Sequence, residues 1–247
     1  MTNTTTSIPT MRSANANATK YESVPADTYP ARLVRFVGLG IQEQPEFQGQ
    51  KKDPAFKCSI QFELIGINAT GKKADGTPVD PRPACVFQDY FLFPGASRGK
   101  VYDLCRAINP SMEKAPGNLE WFTGALGEAV LVQVGTYKTK TGETRNKVIA
   151  VSPMPSFMKG SLDAAKCDIV GFNPYSETES NFAAYSKLFK FQRDILMEAV
   201  DTANIPFAGK EPSLPPRDGN TTASAAAAIQ GTTVSADSTV EDDDVPF

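Results

Sequence analysis

Apolar and polar side chains alternate along several runs of this chain, the period expected of strands with one buried face. In the clearest run, residues 56–67, one face is apolar and carries Phe56, Cys58, Ile60, Phe62 and Leu64. A first strand is predicted over residues 28–42, where Gly38 and Gly40 permit a bulge, and a third over residues 84–94. The pattern therefore indicates a β-rich region.

Two further patterns complete this region. Residues 97–108 carry apolar side chains at helical spacing, which predicts a short helix opened by Ser97. Residues 128–153 read as two strands around a Lys-Thr-Gly-Glu turn. Five strands with a helix between the third and fourth are typical of the OB-fold, a five-stranded Greek-key barrel. We therefore predict a mainly β protein with an OB-fold domain over residues 21–155.

The flanking segments have different compositions. Residues 1–20 are rich in Thr, Asn and Ala and are predicted to form a flexible arm. Residues 156–207 form a C-terminal extension with an amphipathic helix over 179–203, which either packs on the barrel or docks a second subunit by self-association. Residues 208–240 are a low-complexity linker predicted to be disordered, and residues 241–247 form an acidic tip.

The residue composition argues against a metal site and against the commonest catalytic groups. The four cysteines are isolated in sequence and the chain has no His, which argues against a zinc site and predicts buried free thiols; we expect no metal and no cofactor. Without His the commonest general base is missing, and Asp75, Asp80, Asp89 and Asp103 show no paired spacing. We expect no catalytic residues and no enzyme activity, with a carboxylate–metal nuclease as the remaining enzymatic alternative.

Neither a membrane nor a secretory pathway is indicated. No apolar run approaches the roughly 18 residues of a membrane span, and the N-terminal residues lack the apolar core of a signal peptide. We therefore expect a cytoplasmic protein with no membrane partner.

Charge is distributed unevenly along the chain. The net charge is −3, yet the segment from Gly209 onward holds two bases and seven acids, and residues 29–160 hold 17 bases and 12 acids. A basic body joined to an acidic tail favours a polyanionic ligand.

The candidate ligand-binding residues are cations and aromatic side chains. A groove for single-stranded nucleic acid combines bases that contact phosphates with aromatic faces on which nucleobases stack. The hairpin supplies Tyr137, Lys138, Lys140, Arg145 and Lys147. The strands, the loop before the second strand and the helix start supply Arg32, Arg35, Lys51, Lys52, Lys57, Phe87, Tyr90, Arg98 and Lys100.

The last residues carry an aromatic anchor after an acidic run. They read Glu241, Asp242, Asp243, Asp244, Val245, Pro246 and Phe247. This tip resembles that of bacterial single-stranded DNA-binding proteins, which end Asp-Asp-Asp-Ile-Pro-Phe. The resemblance implies that the tip docks into basic-rimmed pockets of replication and repair enzymes, where Phe is buried and the carboxylates pair with Arg or Lys.

The opening "VPADTYPARLVRFVGLGIQ…FELIG" is similar to the single-stranded DNA-binding proteins of tailed bacteriophages. The resemblance implies a protein that coats and protects single-stranded DNA during phage replication, recombination or repair in the cytoplasm of the bacterial host. The alternative is a decoy that uses the tip to occupy host repair-enzyme pockets without binding DNA.

Overall fold

A computed structural model of the chain describes residues 20–73 and 75–207. The strands are β1 (Lys20–Tyr21), β2 (Asp27–Gln42), β3 (Ala55–Asn68), β4 (Gly71–Lys72), β5 (Pro83–Leu92), β6 (Ala129–Lys138), β7 (Thr144–Pro153) and β8 (Val170–Phe172). The helices are α1 (Lys100–Ile108), α2 (Leu119–Gly124), α3 (Ser156–Lys159), α4 (Glu179–Ser186) and α5 (Lys190–Met197), followed by a 3-10 turn at Thr202–Asn204. The prediction of a mainly β protein is confirmed.

The long strands form one sheet in the order β5-β3-β2-β6-β7, and neighbours along this path are antiparallel. The short strand β8 adds to β2 in parallel. Among the residues described, no ladder joins β5 to β7, so these two strands are the edges of an open sheet. The predicted strands and hairpin are confirmed to within about two residues at each end.

The long strand β2 bends, as its glycines predict. Its pairing with β3 shifts register between Gly38 and Ile41, and Gly40 has a φ of 75°, a backbone conformation that L side chains rarely adopt. Before the bend, successive residues of β2 point to opposite faces of the sheet, so Phe36 lies in one hydrophobic core and Val37 and Leu39 lie in another.

The first core lies between β2, β3, β5, β6, β7, α1 and α2, and includes Phe36, Ile60, Phe62, Leu104 and Phe122. The second core lies between β2, β8, α4, α5 and the residues that follow them, and includes Val37, Leu39, Phe172, Leu196 and Phe207. The C-terminal extension therefore packs on the same sheet whose other face is covered by α1 and α2. Packing on the β-rich domain is one of the two arrangements predicted for the extension from the sequence.

Two helix predictions are corrected. Helix α1 begins at Lys100 after Gly99, so Ser97 does not open it. The single helix predicted over residues 179–203 is wrong, because Phe189 is extended (ψ 151°) and separates α4 from α5. The break places Phe189 at 7% exposure against the sheet instead of on a continuous helical stripe.

None of the helices in the part of the chain described here has the length and apolarity needed to cross a lipid bilayer. The predicted arm (except Lys20), the linker and the acidic tip lie outside the described residues.

Candidate nucleic-acid interface

The β6–β7 hairpin brings an aromatic ring and two cations onto one face. Val130, Val132 and Val134 point into the first core, so strand alternation puts Tyr137 on the opposite face. Tyr137 pairs directly with Arg145, and Lys147 lies two residues further along β7 on the same face. We call Tyr137, Lys138, Lys140, Arg145 and Lys147 the hairpin surface.

The hairpin surface is open to solvent. Tyr137 is 44% exposed, and Lys138, Lys140 and Lys147 are exposed. Arg145 donates to the Glu143 carboxylate at 3.2 Å, but partly exposed ion pairs contribute little free energy, so a phosphate can compete for the guanidinium. The surface therefore combines an exposed aromatic ring with cations.

The segment before β2 is attached to the hairpin by hydrogen bonds. The amide of Val24 donates to Asn146 Oδ1 at 2.8 Å, and Asn146 Nδ2 donates to the Val24 carbonyl at 2.8 Å. The Ser23 hydroxyl donates to the Thr144 carbonyl at 2.7 Å. These bonds hold Ser23 and Val24 beside the turn end of the hairpin.

Strands β1 and β4 form a small antiparallel ribbon that adds further cations next to the hairpin. Lys20 and Lys72 lie directly opposite each other in this ribbon, and both are exposed. Arg82 stacks its guanidinium 3.9 Å from the centre of the Tyr21 ring. Like charges directly across a ladder repel, and a bound polyanion would relieve that repulsion. Lys20 and Lys72 were not predicted from the sequence, since only the long-range pairing of β1 with β4 brings them together.

A cleft of about 350 Å³ lies between α1 and the edge strand β7. Its lining includes Tyr90, Lys100, Asp103, Arg106 and Ile149. Lys100 Nζ donates to the Ile149 carbonyl at 3.0 Å, which fixes this cation at the strand edge. The β7 residues that line the cleft begin with Ile149, two residues along the strand from Lys147. Of the sequence candidates, Tyr90 and Lys100 lie here, and Arg98 is exposed just before α1; Arg106 was missed.

Lys51 and Lys52 lie at the other end of β2. They belong to the loop between β2 and β3, whereas the hairpin turn lies beyond the first residue of β2. Lys51 pairs with Glu43 at 3.3 Å, and Lys52 Nζ lies 5.0 Å from the Phe47 ring centre. The structure does not bring these two lysines together with the hairpin surface.

Two sequence candidates on β2 are engaged within the chain. Arg32 donates from all three guanidinium nitrogens to the carbonyls of Gly127, Leu162 and Asp163 at 2.7–3.1 Å. Arg35 is 7% exposed, donates to the Lys187 carbonyl at 2.9 Å and lies 4.2 Å from the centre of the Phe189 ring. Burial lowers the pKa of Arg35, an effect that the nearby Asp168 carboxylate opposes. Both arginines hold the extension against the sheet.

Lys57 and Phe87 lie on the same outer face of the sheet. Lys57 pairs with Asp89 at 3.1 Å, and about a quarter of each side chain is exposed. Phe87 is 45% exposed and contacts Phe191 of α5, with ring centres 5.8 Å apart. The extension thus occupies much of this face, and these two residues are separate from the hairpin surface.

The described residues contain no group of three His, Cys, Asp or Glu side chains arranged to hold a metal ion. No protein-family model, curated protein or solved structure matches this chain. The interface therefore rests on the chain's own geometry and charge.

Proposed function

We propose that this chain is a non-enzymatic single-stranded DNA-binding protein that coats and protects single strands during phage DNA replication, recombination or repair in the bacterial cytoplasm. Its acidic tail, residues 241–247, recruits host or phage enzymes. The observation that carries the proposal is the exposed Tyr137 facing Arg145, with Lys147 on the same face.

The chemistry of the hairpin surface favours a flexible, single strand. An exposed aromatic ring stacks on any nucleobase that is free of a partner strand, at about 1–3 kcal/mol per base. Neighbouring lysines and arginines neutralise phosphates without reading sequence. Strand β1 of the ribbon comes just before Ser23 and Val24, which contact the hairpin, and the α1–β7 cleft lies further along β7, so in this proposal both supply further cations to a bound strand.

We also propose that the domain is a divergent OB-fold. The strand order β5-β3-β2-β6-β7, with α1 and α2 between the third and fourth long strands, supports this assignment, and an OB barrel is often only partly closed. Because the extension covers the outer face of β2, β3 and β5, the DNA path in this proposal follows the hairpin surface, the ribbon and the cleft.

The direct test is binding of a short dye-labelled dT oligonucleotide followed by fluorescence anisotropy at several salt concentrations. We compare the wild type with Lys138→Ala/Lys147→Ala and with the matched control Lys51→Ala/Lys52→Ala, which removes the same charge at the other end of β2. The hairpin double variant should bind more weakly and reduce the slope of log K against log salt by about 1.4, since each phosphate contact contributes about 0.7. The control should change binding less.

Absence of salt-sensitive binding by the wild type at low salt would contradict DNA binding and favour the decoy alternative. Equal losses in the two double variants would contradict the hairpin as the main surface. Magnesium-dependent cleavage of the oligonucleotide in the same samples would favour the nuclease alternative instead.

Recruitment by the tip is tested separately. Immobilised wild-type chain and its Phe247→Ala variant are incubated with purified bacterial replication and repair enzymes. Loss of the aromatic anchor should abolish capture, whereas Ile229→Ala, an apolar substitution in the linker, should not. Equal capture by both variants would contradict docking through the tip.

A further inference from the structure

Two cysteines that are far apart in sequence meet where the extension reaches the sheet. Cys85 lies on β5 and Cys167 precedes β8, and their Sγ atoms are 3.3 Å apart. The other two cysteines, Cys58 and Cys105, are fully or almost fully buried in the first core. Cys85 and Cys167 each retain partial exposure, so this pair combines proximity with access from solvent.

The surroundings of the pair hold it in place. The buried Glu63 carboxylate, 2% exposed, accepts the backbone N–H groups of Lys166 at 2.9–3.0 Å and of Cys167 at 2.6 Å. Glu63 also pairs with Cys85 across the β3–β5 ladder. One carboxylate therefore fixes the backbone of Cys167 opposite the strand position of Cys85.

The two thiols are chemically unequal. The hydrogen bond with Cys167 lowers the pKa of Cys85, with a further contribution from Gln61, although burial opposes the effect. The same hydrogen bond is the main reason why the pKa of Cys167 is raised. Burial raises the pKa of Cys105 to about 12 and that of Cys58 further. We therefore expect Cys85 to react first, because the thiolate is the reactive form.

We infer that Cys85 and Cys167 form an oxidation site at which low-molecular-weight disulfides generate an intramolecular disulfide that fastens the extension to β5. This assignment goes beyond the proposed DNA-binding function and does not depend on it.

The reaction balances in two exchange steps. The Cys85 thiolate attacks one sulfur of the small disulfide, forming a mixed disulfide and releasing one small thiolate. Cys167 then loses its proton and attacks the Cys85 sulfur, which forms the protein disulfide and releases the second small thiolate. The two protein thiols lose two electrons, the reagent is reduced to two thiols, and the two protons pass to the released thiolates.

The disulfide should stabilise the fold, because it links residues 82 positions apart and restricts the unfolded chain. For a closed loop of that length the thermal midpoint is expected to rise by roughly 5–15 °C. The rise should disappear when the protein is reduced again.

The test uses the full-length protein and oxidised glutathione. After incubation the remaining thiols are alkylated with N-ethylmaleimide, the intact mass is measured and the cross-linked peptides are identified. Two of the four thiols should be lost, the linked peptides should contain Cys85 and Cys167, and dithiothreitol should restore both thiols and the original thermal midpoint. Cys105→Ser, the matched control, should still form the link, whereas Cys85→Ser and Cys167→Ser should not.

Four alkylated thiols after oxidation, a link through Cys58 or Cys105, or a disulfide-linked dimer would overturn the inference. So would accumulation of the glutathione mixed disulfide at Cys85, since it would show that Cys167 does not resolve it. The wild-type mass measurement decides the outcome even where a serine variant fails to fold.

Discussion

Arg35 and Tyr137 show two opposite uses of side chains on the same sheet. Arg35 is 7% exposed, with its guanidinium stacked on Phe189 and donating to the Lys187 carbonyl. Tyr137 is 44% exposed and contributes its ring to the solvent-facing side of the hairpin. Substitution of Arg35 should therefore change the stability of the fold, and substitution of Tyr137 should change ligand binding.

Arg35→Ala is expected to lower the free energy of unfolding by about 2 kcal/mol, because it removes a charged hydrogen bond and a cation–π contact between β2 and the extension. Urea denaturation measures the change. Arg35→Lys should recover part of it, since lysine keeps the charge but lacks the planar guanidinium. Weaker oligonucleotide binding at unchanged stability would instead assign Arg35 to the DNA interface.

Tyr137→Ala is expected to weaken binding of dT oligonucleotides by about 1–3 kcal/mol, or roughly 5- to 150-fold, through loss of one stacking platform. Tyr137→Phe keeps the ring and should bind nearly as well as the wild type. Stability should change by less than about 0.5 kcal/mol in both variants, because the residue is exposed. Anisotropy titration and thermal unfolding check the two expectations, and unchanged affinity of Tyr137→Ala would contradict the stacking role.

At the scale of the element, the bend in β2 lies where residues of the second core pack closely against the strand. Gly40 has a φ of 75°, and a Cβ built there would lie 2.8 Å from the Cβ of Ala199 and 3.0 Å from Ile205 Cδ1. The strand therefore needs glycine for its backbone conformation and for the close approach of the residues after α5. Gly49 has nearly the same φ, 76°, but a Cβ there would meet nothing within 4 Å.

Gly40→Ala and Gly49→Ala form a matched pair that separates these two effects. In both variants the free energy of unfolding should fall by about 1–2 kcal/mol, because alanine disfavours the left-handed backbone conformation. In Gly40→Ala it should fall by about a further 1–3 kcal/mol, because the added methyl group overpacks the second core. Chemical denaturation of both variants measures the difference. An equal decrease in the free energy of unfolding of the two variants would mean that the second core accommodates a methyl group at residue 40 without strain.

The buried face of a strand could be predicted from the sequence where its apolar residues alternate with polar ones. The alternation on β3 indicated its buried face, since Cys58, Ile60, Phe62 and Leu64 are at most 1% exposed. It also implied that the polar face meets water, yet Ser59 and Glu63 are each 2% exposed. The pattern of one strand cannot report which later segment of the chain covers its polar side.

At the scale of the whole molecule, the two cores share β2, while the charge is divided between the body and the tail. The described residues end at Phe207, which is fully buried and packs against Phe172 and Tyr185 with ring centres 5.2 and 5.0 Å away. Phe207 is therefore part of the second core. The segment from Gly209 onward carries two bases and seven acids.

A chain truncated after Phe207 should keep the thermal midpoint of the full-length protein, because both cores remain complete. It should bind dT oligonucleotides more tightly at low salt, by roughly 2- to 10-fold, since it loses a net charge of −5 that repels DNA. The gain should shrink as salt is raised. A chain truncated before Phe207, after residue 200, should unfold at lower temperature, because the second core loses Phe207 and Ile205. Weaker DNA binding by the first truncation would contradict a purely repulsive tail.

The candidate interface was predictable only in part. The hairpin residues were found because a local turn between two alternating runs places Tyr137, Arg145 and Lys147 together whatever the rest of the chain does. Lys20 and Lys72 were missed because they meet through pairing across 52 residues of sequence. Arg32 and Arg35 were selected for their charge, but their hydrogen-bond acceptors come from more than 90 residues further along the chain.

The sequence by itself determined the five long strands, the bend at Gly40, the hairpin and the separation of basic body from acidic tail, because these depend on local periodicity, backbone freedom and net charge. Only the tertiary structure decided which cations face solvent, where the extension packs, and that Cys85 lies beside Cys167. The physical reason is that the burial of a side chain and its hydrogen-bond partners depend on contacts between distant segments. The composition of one segment does not specify which other segment will pack against it.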